Sequence, residues 1–240
     1  MRSPSFSPLY RQIKGLLVES LRAGEWRPGD AIPSETELAG RFKVSQGTDR
    51  KAIDELAAEN LLARRQGKGT FVATHGERQV RFRFLRLAPD SGEAVPPERH
   101  LLELRRARAS ADVARALEFK AGDPAVVLKR LLVFGGEPVV LEEVWLPASI
   151  FKGLTAESIT EHKGALYNLF ETQFDTRMVR AEERLKAVPA DTQNAKLLKI
   201  SSGDALLQVD RQTFTYGDRP VEWRRGLYRT DRHFYRSELG

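Results

Sequence analysis

Cysteine is absent from this chain of 240 residues. Without thiols the chain forms no disulfide and offers no thiolate to a metal ion, which excludes disulfide-stapled secreted scaffolds and cysteine-based zinc sites. No apolar segment of a secretory signal follows Met1, and no run approaches the roughly 18 apolar residues that cross a bilayer. We therefore predict a cytoplasmic protein that has no contact with a membrane.

Motifs of catalysis are missing as well. The four histidines, at positions 75, 100, 162 and 233, show no metal-binding spacing. The glycines on either side of Lys68 lack the preceding glycine of a phosphate-binding loop, and no nucleophile elbow or dinucleotide fingerprint occurs. We predict no catalytic residue, no metal site and no cofactor, so the protein is not expected to be an enzyme.

The chain does have an excess of positive charge, with 39 Lys and Arg against 33 Asp and Glu and a pI of about 9.6. This excess suits a polyanionic partner, although the placement of the charges matters more than their total. Hydrophobic residues make up 41% of the sequence, and the length allows two domains, each with its own core.

The strongest pattern lies between residues 34 and 72. Ser34 is followed three residues later by Glu37, the capping-box arrangement that begins a helix, and Ser45 is placed to cap a second helix after a short turn. A basic hairpin with a glycine turn follows. Helix, turn, helix and hairpin together predict a winged helix-turn-helix domain that binds duplex DNA.

An earlier helix is predicted from Pro8 to Arg22, ended by Gly24, because apolar residues recur on one face. With this helix the first 75 residues resemble the head of a GntR-family bacterial transcription regulator. The resemblance is carried by Pro8-Leu9-Tyr10-Arg11-Gln12-Ile13, Gly24-Glu25-Trp26-Arg27-Pro28-Gly29-Asp30, Ile32-Pro33-Ser34-Glu35, Glu37-Leu38-Ala39, Val44-Ser45, Gly47-Thr48, Arg50 and Gly67-x-Gly69-Thr70-Phe71-Val72.

The resemblance implies which residues meet DNA. Gln46 stands where the family often has arginine, so an adenine edge is favoured over a guanine contact. Ordinary solvated charges are the alternative reading for Arg50 and Lys51. The candidate DNA-binding residues are Glu35, Gln46, Gly47, Thr48, Arg50, Lys51, Arg65, Gln66, Gly67, Lys68 and Gly69.

Asp49 does not fit this pattern. It lies four and seven residues before Ile53 and Leu56, on the apolar stripe of the second helix, where the resembling family usually has Val. Either Asp49 tilts toward solvent near the DNA, or it is buried and weakens the domain.

From about residue 80 onward, strands and helices alternate. Gly135-Gly136 between two apolar runs is the strongest hairpin signal, and residues 88–98 are expected to form a loop. We predict strands at 80–84, 101–105, 125–134, 137–146, 179–188, 205–215 and 220–228, and helices at 111–119, 165–174 and 191–199.

This order resembles the UTRA ligand-binding domain of HutC-like GntR regulators, over about residues 95–237. The resemblance is carried by residues 136–139, Leu141-Glu142, Leu146-Pro147, Leu166-Tyr167, Ala187, residues 204–207, residues 219–222 and residues 227–232. It implies an α+β protein with a winged helix-turn-helix domain at 1–75 and a linker with a connecting strand at 76–98. A sheet-centred, chorismate-lyase-like domain at 99–240 would bind the effector and mediate dimerisation.

In this resemblance, polar positions on the two hairpins line the effector site. The candidate effector-binding residues are Arg130, Glu142, Glu222, Arg224 and Tyr228. Cross-strand salt bridging is the alternative reading for these charges.

Sensors of amino-sugar phosphates carry serine and arginine where this chain has Ala165 and Leu132. A phosphorylated sugar is therefore disfavoured, and an organic acid or sugar-like metabolite is expected.

The function predicted from these observations is a homodimeric, ligand-responsive regulator, a repressor released from operator DNA by a small metabolite. The alternative is a metabolite-binding protein or UTRA-like enzyme with a vestigial DNA-binding head, which Asp49 alone favours. A DNA-binding assay separates the two functions.

Overall fold

A computed structural model describes residues 7–74, 85–93, 95–162 and 164–237. The strand predicted at 80–84 lies outside the described residues. The helices are α1 (Leu9–Arg22), α2 (Glu35–Phe42), α3 (Gln46–Ala58), α4 (Ala111–Ala116), α5 (Ala156–Glu161), α6 (Leu166–Phe174) and α7 (Thr192–Leu198). The strands are β1 (Leu62–Arg65), β2 (Gly69–Val72), β3 (Leu87–Pro89), β4 (Glu98–Arg108), β5 (Pro124–Phe134), β6 (Glu137–Pro147), β7 (Arg180–Pro189), β8 (Ala205–Phe214), β9 (Pro220–Arg229) and β10 (His233–Tyr235).

The first three helices and the β1–β2 hairpin form the head. The capping box of α2 is present, since Ser34 and Glu37 hydrogen-bond each other's backbone amides, and Ser45 caps α3. Lys43 adopts a left-handed conformation, with φ 54°, between the two helices. Buried side chains of α1, α2, α3 and the hairpin make one core, so the predicted winged helix-turn-helix is confirmed.

A six-stranded antiparallel sheet with the order β4-β5-β6-β9-β8-β7 forms the second domain. The predicted hairpins β5–β6 and β8–β9 lie side by side at its centre through the β6–β9 pair. Helix α6 packs on one face through Leu169 and Phe170. Helices α4 and α7 bury their apolar residues with those of the sheet, in two further clusters. The α+β, sheet-centred prediction is confirmed.

Three elements differ from the expectation. Residues 87–89 form β3, which pairs with β10 at the chain's far end, so the loop expected at 88–98 is partly wrong. Strand β4 is longer than predicted at both ends, and α5 was not predicted. The short elements β3 and α5 and the ends of β4 depend on partners distant in sequence, which local periodicity does not show.

Candidate nucleic-acid interface and effector pocket

The amino-terminal turn of α3 is the exposed part of the recognition helix. Gln46 and Gly47 are exposed, and Thr48 is half-buried. The hydroxyls of Ser45 and Thr48 lie 2.9 Å apart, and the backbone amide of Thr48 donates to Ser45 Oγ at 3.3 Å. The capping serine thus orients Thr48 at the helix end where free amides and the helix dipole favour phosphate.

Glu35 organises the basic residues around this turn. Its carboxylate accepts hydrogen bonds from Arg50 Nε at 2.9 Å and from Arg64 Nη1 at 2.8 Å. Arg64 also donates to Asp54 at 2.7 Å. Partial burial raises the pKa of Glu35, but the hydrogen bonds from Arg50 and Arg64 outweigh it, and the pKa lies below its usual value. Glu35 therefore holds α3 and the wing together as an anion.

The remaining basic candidates lie on aromatic rings or at the wing tip. Lys51 Nζ lies 4.1 Å from the centre of the Tyr10 ring, and the Arg65 guanidinium lies 4.4 Å from that of Phe71. Such cation–π contacts limit the freedom of a cation without neutralising it. Residues 66–69 are exposed at the turn, where the two glycines have left-handed φ values of 69° and 101°.

The alternative in which Asp49 faces solvent is wrong, because the residue is 0% exposed. It lies on the apolar face with Ile53 and Leu56, and neither carboxylate oxygen has a hydrogen-bond partner among the described residues. Burial raises the pKa of Asp49 to about 6, and the nearby Glu35 carboxylate adds to the increase.

All five candidate effector residues are buried in the effector domain. Arg130 Nε donates to Glu142 Oε2 at 2.6 Å, and Arg224 Nη1 donates to Glu142 Oε1 at 2.8 Å. Arg224 also makes a two-point contact with Glu222 at 3.1 and 2.9 Å. The cross-strand ion pairs of the alternative reading are therefore present, and they are joined into one continuous buried network across β5, β6 and β9.

Both Glu142 and Tyr228 have shifted pKa values. Burial raises the pKa of Glu142, but the positive charges of Arg130 and Arg224 outweigh it and hold the pKa at about 2. Burial, and then the charge of Glu142, raises the pKa of Tyr228. The ring of Tyr228 covers Gly226, where a Cβ would lie 2.4 Å from the ring. Any larger residue at 226 would displace that ring.

A cavity lies over this network. The candidates Arg130, Glu142 and Arg224 line it, whereas Glu222 lies beneath Arg224 and Tyr228 is not among the lining residues. The lining residues that were not predicted are Leu85, Pro97, Arg99, Leu166, Tyr167 and Arg211.

Among these, the Tyr167 hydroxyl donates to Glu222 at 2.7 Å, and Arg211 pairs with Glu183 on β7. Period-two alternation along β8 puts Arg211 on the same face as Val209 and Thr213, which are both buried.

Ala165 and Leu132, the two positions on which the sequence disfavours a phosphorylated sugar, both line this cavity. Ala165 precedes α6 and gives the helix no side-chain cap. Leu132 presents an apolar wall. The cavity therefore combines arginines and the amino terminus of α6 with apolar side chains at positions 132 and 165.

Two family models match the chain. The model of the UTRA domain matches residues 94–233, and that of the gntR family of bacterial regulatory proteins matches residues 9–72. The chain belongs to the GntR family. It is a DNA-binding transcription regulator in which a winged helix is joined to a UTRA effector domain.

Relatives match this GntR regulator along most of its length. The histidine utilization repressor of Pseudomonas putida is 29% identical over 232 residues, which are 95% of this chain and 90% of that protein. MngR of Escherichia coli strain K12, named as the repressor of a mannosyl-D-glycerate transport/metabolism system, is 28% identical over 228 residues, 93% and 92% of the two chains.

A crystal structure of the ligand-binding domain of a Bordetella bronchiseptica regulator assigned to the GntR family is 51% identical. The superposed region covers 67% of this chain and 100% of that domain's chain, with a TM-score of 0.65.

No helix within the described ranges has the length and apolar character needed to span a membrane. Within the same ranges, no group of three metal-ligating side chains lies close enough to hold a metal ion.

Proposed function

We propose that the protein is a cytoplasmic, homodimeric repressor that leaves its operator when a small organic acid binds in the effector cavity. The observation that carries the proposal is the cavity lining, which holds four arginines, Arg99, Arg130, Arg211 and Arg224. Three carboxylates pair with three of them, Glu142 within the lining and Glu183 and Glu222 outside it, so positive charge is in excess. Guanidinium groups bind carboxylates through two parallel hydrogen bonds, and the electrostatic attraction between the two groups is stronger where water is excluded.

The choice of a carboxylate rests on the lining as well. A sugar phosphate offers three acceptor oxygens and needs matching donors, but Leu132 and Ala165 supply none from their side chains. A carboxylate needs two donors, which one arginine provides. A sugar-like acid, with hydroxyls that reach Tyr167 or Glu142, satisfies the same cavity.

The DNA-binding residues remain those of the sequence prediction. Two copies of the chain place two heads on one duplex, with half-sites about one helical turn apart. A ligand lowers operator affinity only if it favours the arrangement of heads that fits the operator less well.

The experiment uses the full chain and a duplex enriched by it from a random-sequence pool. Small carboxylic acids, sugar acids and sugar phosphates are screened for a rise in melting temperature and then for release of the duplex in fluorescence polarisation. A carboxylate that does both supports the proposal, whereas activity confined to sugar phosphates would contradict the chosen ligand class.

The second candidate, a metabolite-binding protein with a vestigial head, is favoured by the buried carboxylate of Asp49. The same enrichment distinguishes it. A vestigial head enriches no sequence from the pool, and its binding to duplex DNA stays at the non-specific level.

A further inference from the structure

A buried arginine of the effector domain holds the end of the recognition helix. Arg177 is 1% exposed. Its Nη2 donates to the backbone oxygen of Asn60 at 2.7 Å, and its Nη1 donates to that of Leu61 at 3.1 Å. Asn60, with φ 58°, is in the left-handed turn that follows α3. The guanidinium thus satisfies carbonyls beyond the helix end and places a positive charge at the negative end of the helix dipole.

A buried carboxylate on α6 holds the wing in the same way. Glu171 Oε2 accepts a hydrogen bond from the hydroxyl of Thr74, just past β2, at 2.7 Å. Glu171 Oε1 lies 3.6 Å from Arg177 Nε, and the side chains of both residues are at most 2% exposed. One ion pair of the effector domain therefore contacts both DNA-binding elements of the head, the recognition helix and the wing.

We call the contacts of Arg177 and Glu171 with Asn60, Leu61 and Thr74 the joint. Further side chains pack around it. The Tyr216 hydroxyl accepts a hydrogen bond from Arg177 Nη1 at 3.2 Å. Tyr216 and Val179, both from the effector domain, pack against the apolar core of the head. A packed contact between two domains transmits a displacement, because such interiors deform little.

The element that carries Glu171 also reaches the effector cavity. Leu166 and Tyr167, at the first turn of α6, line the cavity, and Glu171 follows four residues after Tyr167. The helix has nine residues and spans about 14 Å at roughly 1.5 Å per residue. Its first turn therefore lines the cavity, and Glu171, about one turn further along, contacts the head.

We propose that α6 links effector and operator binding, with Glu171 and Arg177 as positioning residues that fix the recognition helix and the wing. This inference rests on the proposed function. An occupant of the cavity that moves the first turn of α6 moves the joint, and operator binding must affect α6 in return, because coupling between two sites is reciprocal.

Hydrogen exchange of the full chain, followed by mass spectrometry, tests the link with the enriched duplex as the probe. In the wild type the duplex should change exchange in residues 165–172 at least threefold, although these residues lie on the effector domain. At a duplex concentration that saturates each protein, Arg177→Met should lose that change. The control Arg184→Met, on the exposed strand β7, should keep it. A change that persists in Arg177→Met would overturn the proposal.

A second measurement needs no DNA. In the free protein, Arg177→Met should speed exchange of residues 55–62 at least tenfold, and the milder variants Thr74→Val and Glu171→Gln should speed exchange of residues 69–74. These milder variants also replace Arg177→Met if that protein does not fold. Unchanged exchange in these variants would show that the joint does not hold the recognition helix and the wing in place. Failure of the wild type to enrich any duplex would count against the proposed function alone, since the free-protein exchange still reports on the joint.

Discussion

Glu35 accepts a hydrogen bond from Arg50 at 2.9 Å across the turn of the helix-turn-helix motif. The same carboxylate holds Arg64 of the wing, so one acidic residue sets the positions of Arg50, a predicted DNA contact, and of its basic neighbour Arg64. An acidic residue near a phosphate surface lowers affinity in general. Its presence is explained if it orients the arginines toward one arrangement of bases and phosphates.

We therefore expect Glu35→Gln to reduce discrimination more than affinity. The ratio of operator affinity to non-specific affinity should fall about tenfold, within the range of roughly 1–3 kcal/mol for a good base contact. Non-specific affinity should stay equal or rise, because a negative charge is lost. Fluorescence polarisation at one salt concentration measures both. Glu37→Gln, which alters the cap of the same helix, is the control, and an unchanged ratio would place Glu35 outside recognition.

Lys68 at the exposed wing tip should contribute through charge alone. The slope of log affinity against log salt is about −0.9 for each phosphate neutralised, so Lys68→Ala should make it shallower by about one per head and weaken all sequences alike. Lys120→Ala, in the turn before β5, should leave the slope unchanged. An unaltered slope in Lys68→Ala would remove the wing tip from the contact surface.

The buried network predicts unequal costs for its two arginines. Arg224 forms ion pairs with both Glu142 and Glu222, whereas Arg130 pairs with Glu142. When Arg130 is replaced, Glu142 therefore still has Arg224 as its partner. Removing one partner of a buried pair typically costs about 3–5 kcal/mol. Arg224→Met should lower the free energy of unfolding by that amount, and Arg130→Met by less than half of it.

Urea unfolding of the full chain with Trp26 of the head replaced by Phe, followed by the fluorescence of Trp145 and Trp223 on the sheet, measures the difference. Arg225→Met, on the exposed face of β9, loses a pair with Asp210 and should cost at most about 1 kcal/mol. Equal costs for Arg130 and Arg224 would mean that Glu222 does not depend on Arg224.

The features that sequence predicted are those with local causes. The capping box at Ser34, the helix cap at Ser45 and the hairpin at Gly135-Gly136 involve residues within a few positions of each other, and they stand where the spacing placed them. The effector network was also accessible, since alternation along β9 puts Glu222 and Arg224 on one face.

What sequence did not predict depends on distant contacts. Arg177 donates to the backbone oxygens of Leu61 and Asn60, which precede it by 116 and 117 positions in the sequence. No local pattern marks Arg177 as buried. Tyr167 enters the cavity because α6 packs across the sheet, which periodicity alone does not specify. The pairing of β3 with β10 likewise joins two segments of three residues from opposite ends of the effector domain.

The buried carboxyl of Asp49 should make the stability of the head depend on pH. The buried carboxyl has a pKa of about 6 in the folded head, above the value of about 3.9 in an unfolded chain. The folded state therefore binds the proton more tightly, and stability falls as pH rises through the window from about 4 to 6. The loss at neutral pH is on the order of 2–3 kcal/mol.

Asp49→Val should remove this loss, since valine fills the apolar face with Ile53 and needs no hydrogen bond. We expect the transition that unfolds the head to rise by at least about 5 °C at pH 7, and this gain over the wild type to shrink as the pH is lowered from 6 to 4. Operator affinity should increase as well, because the change removes a negative charge near the phosphates. Asp54→Asn, an exposed carboxylate on the same helix, should leave the pH dependence in place. A melting temperature that falls in Asp49→Val would show that the carboxylate has a stabilising partner, and the same pH dependence in both proteins would assign the titration to another group.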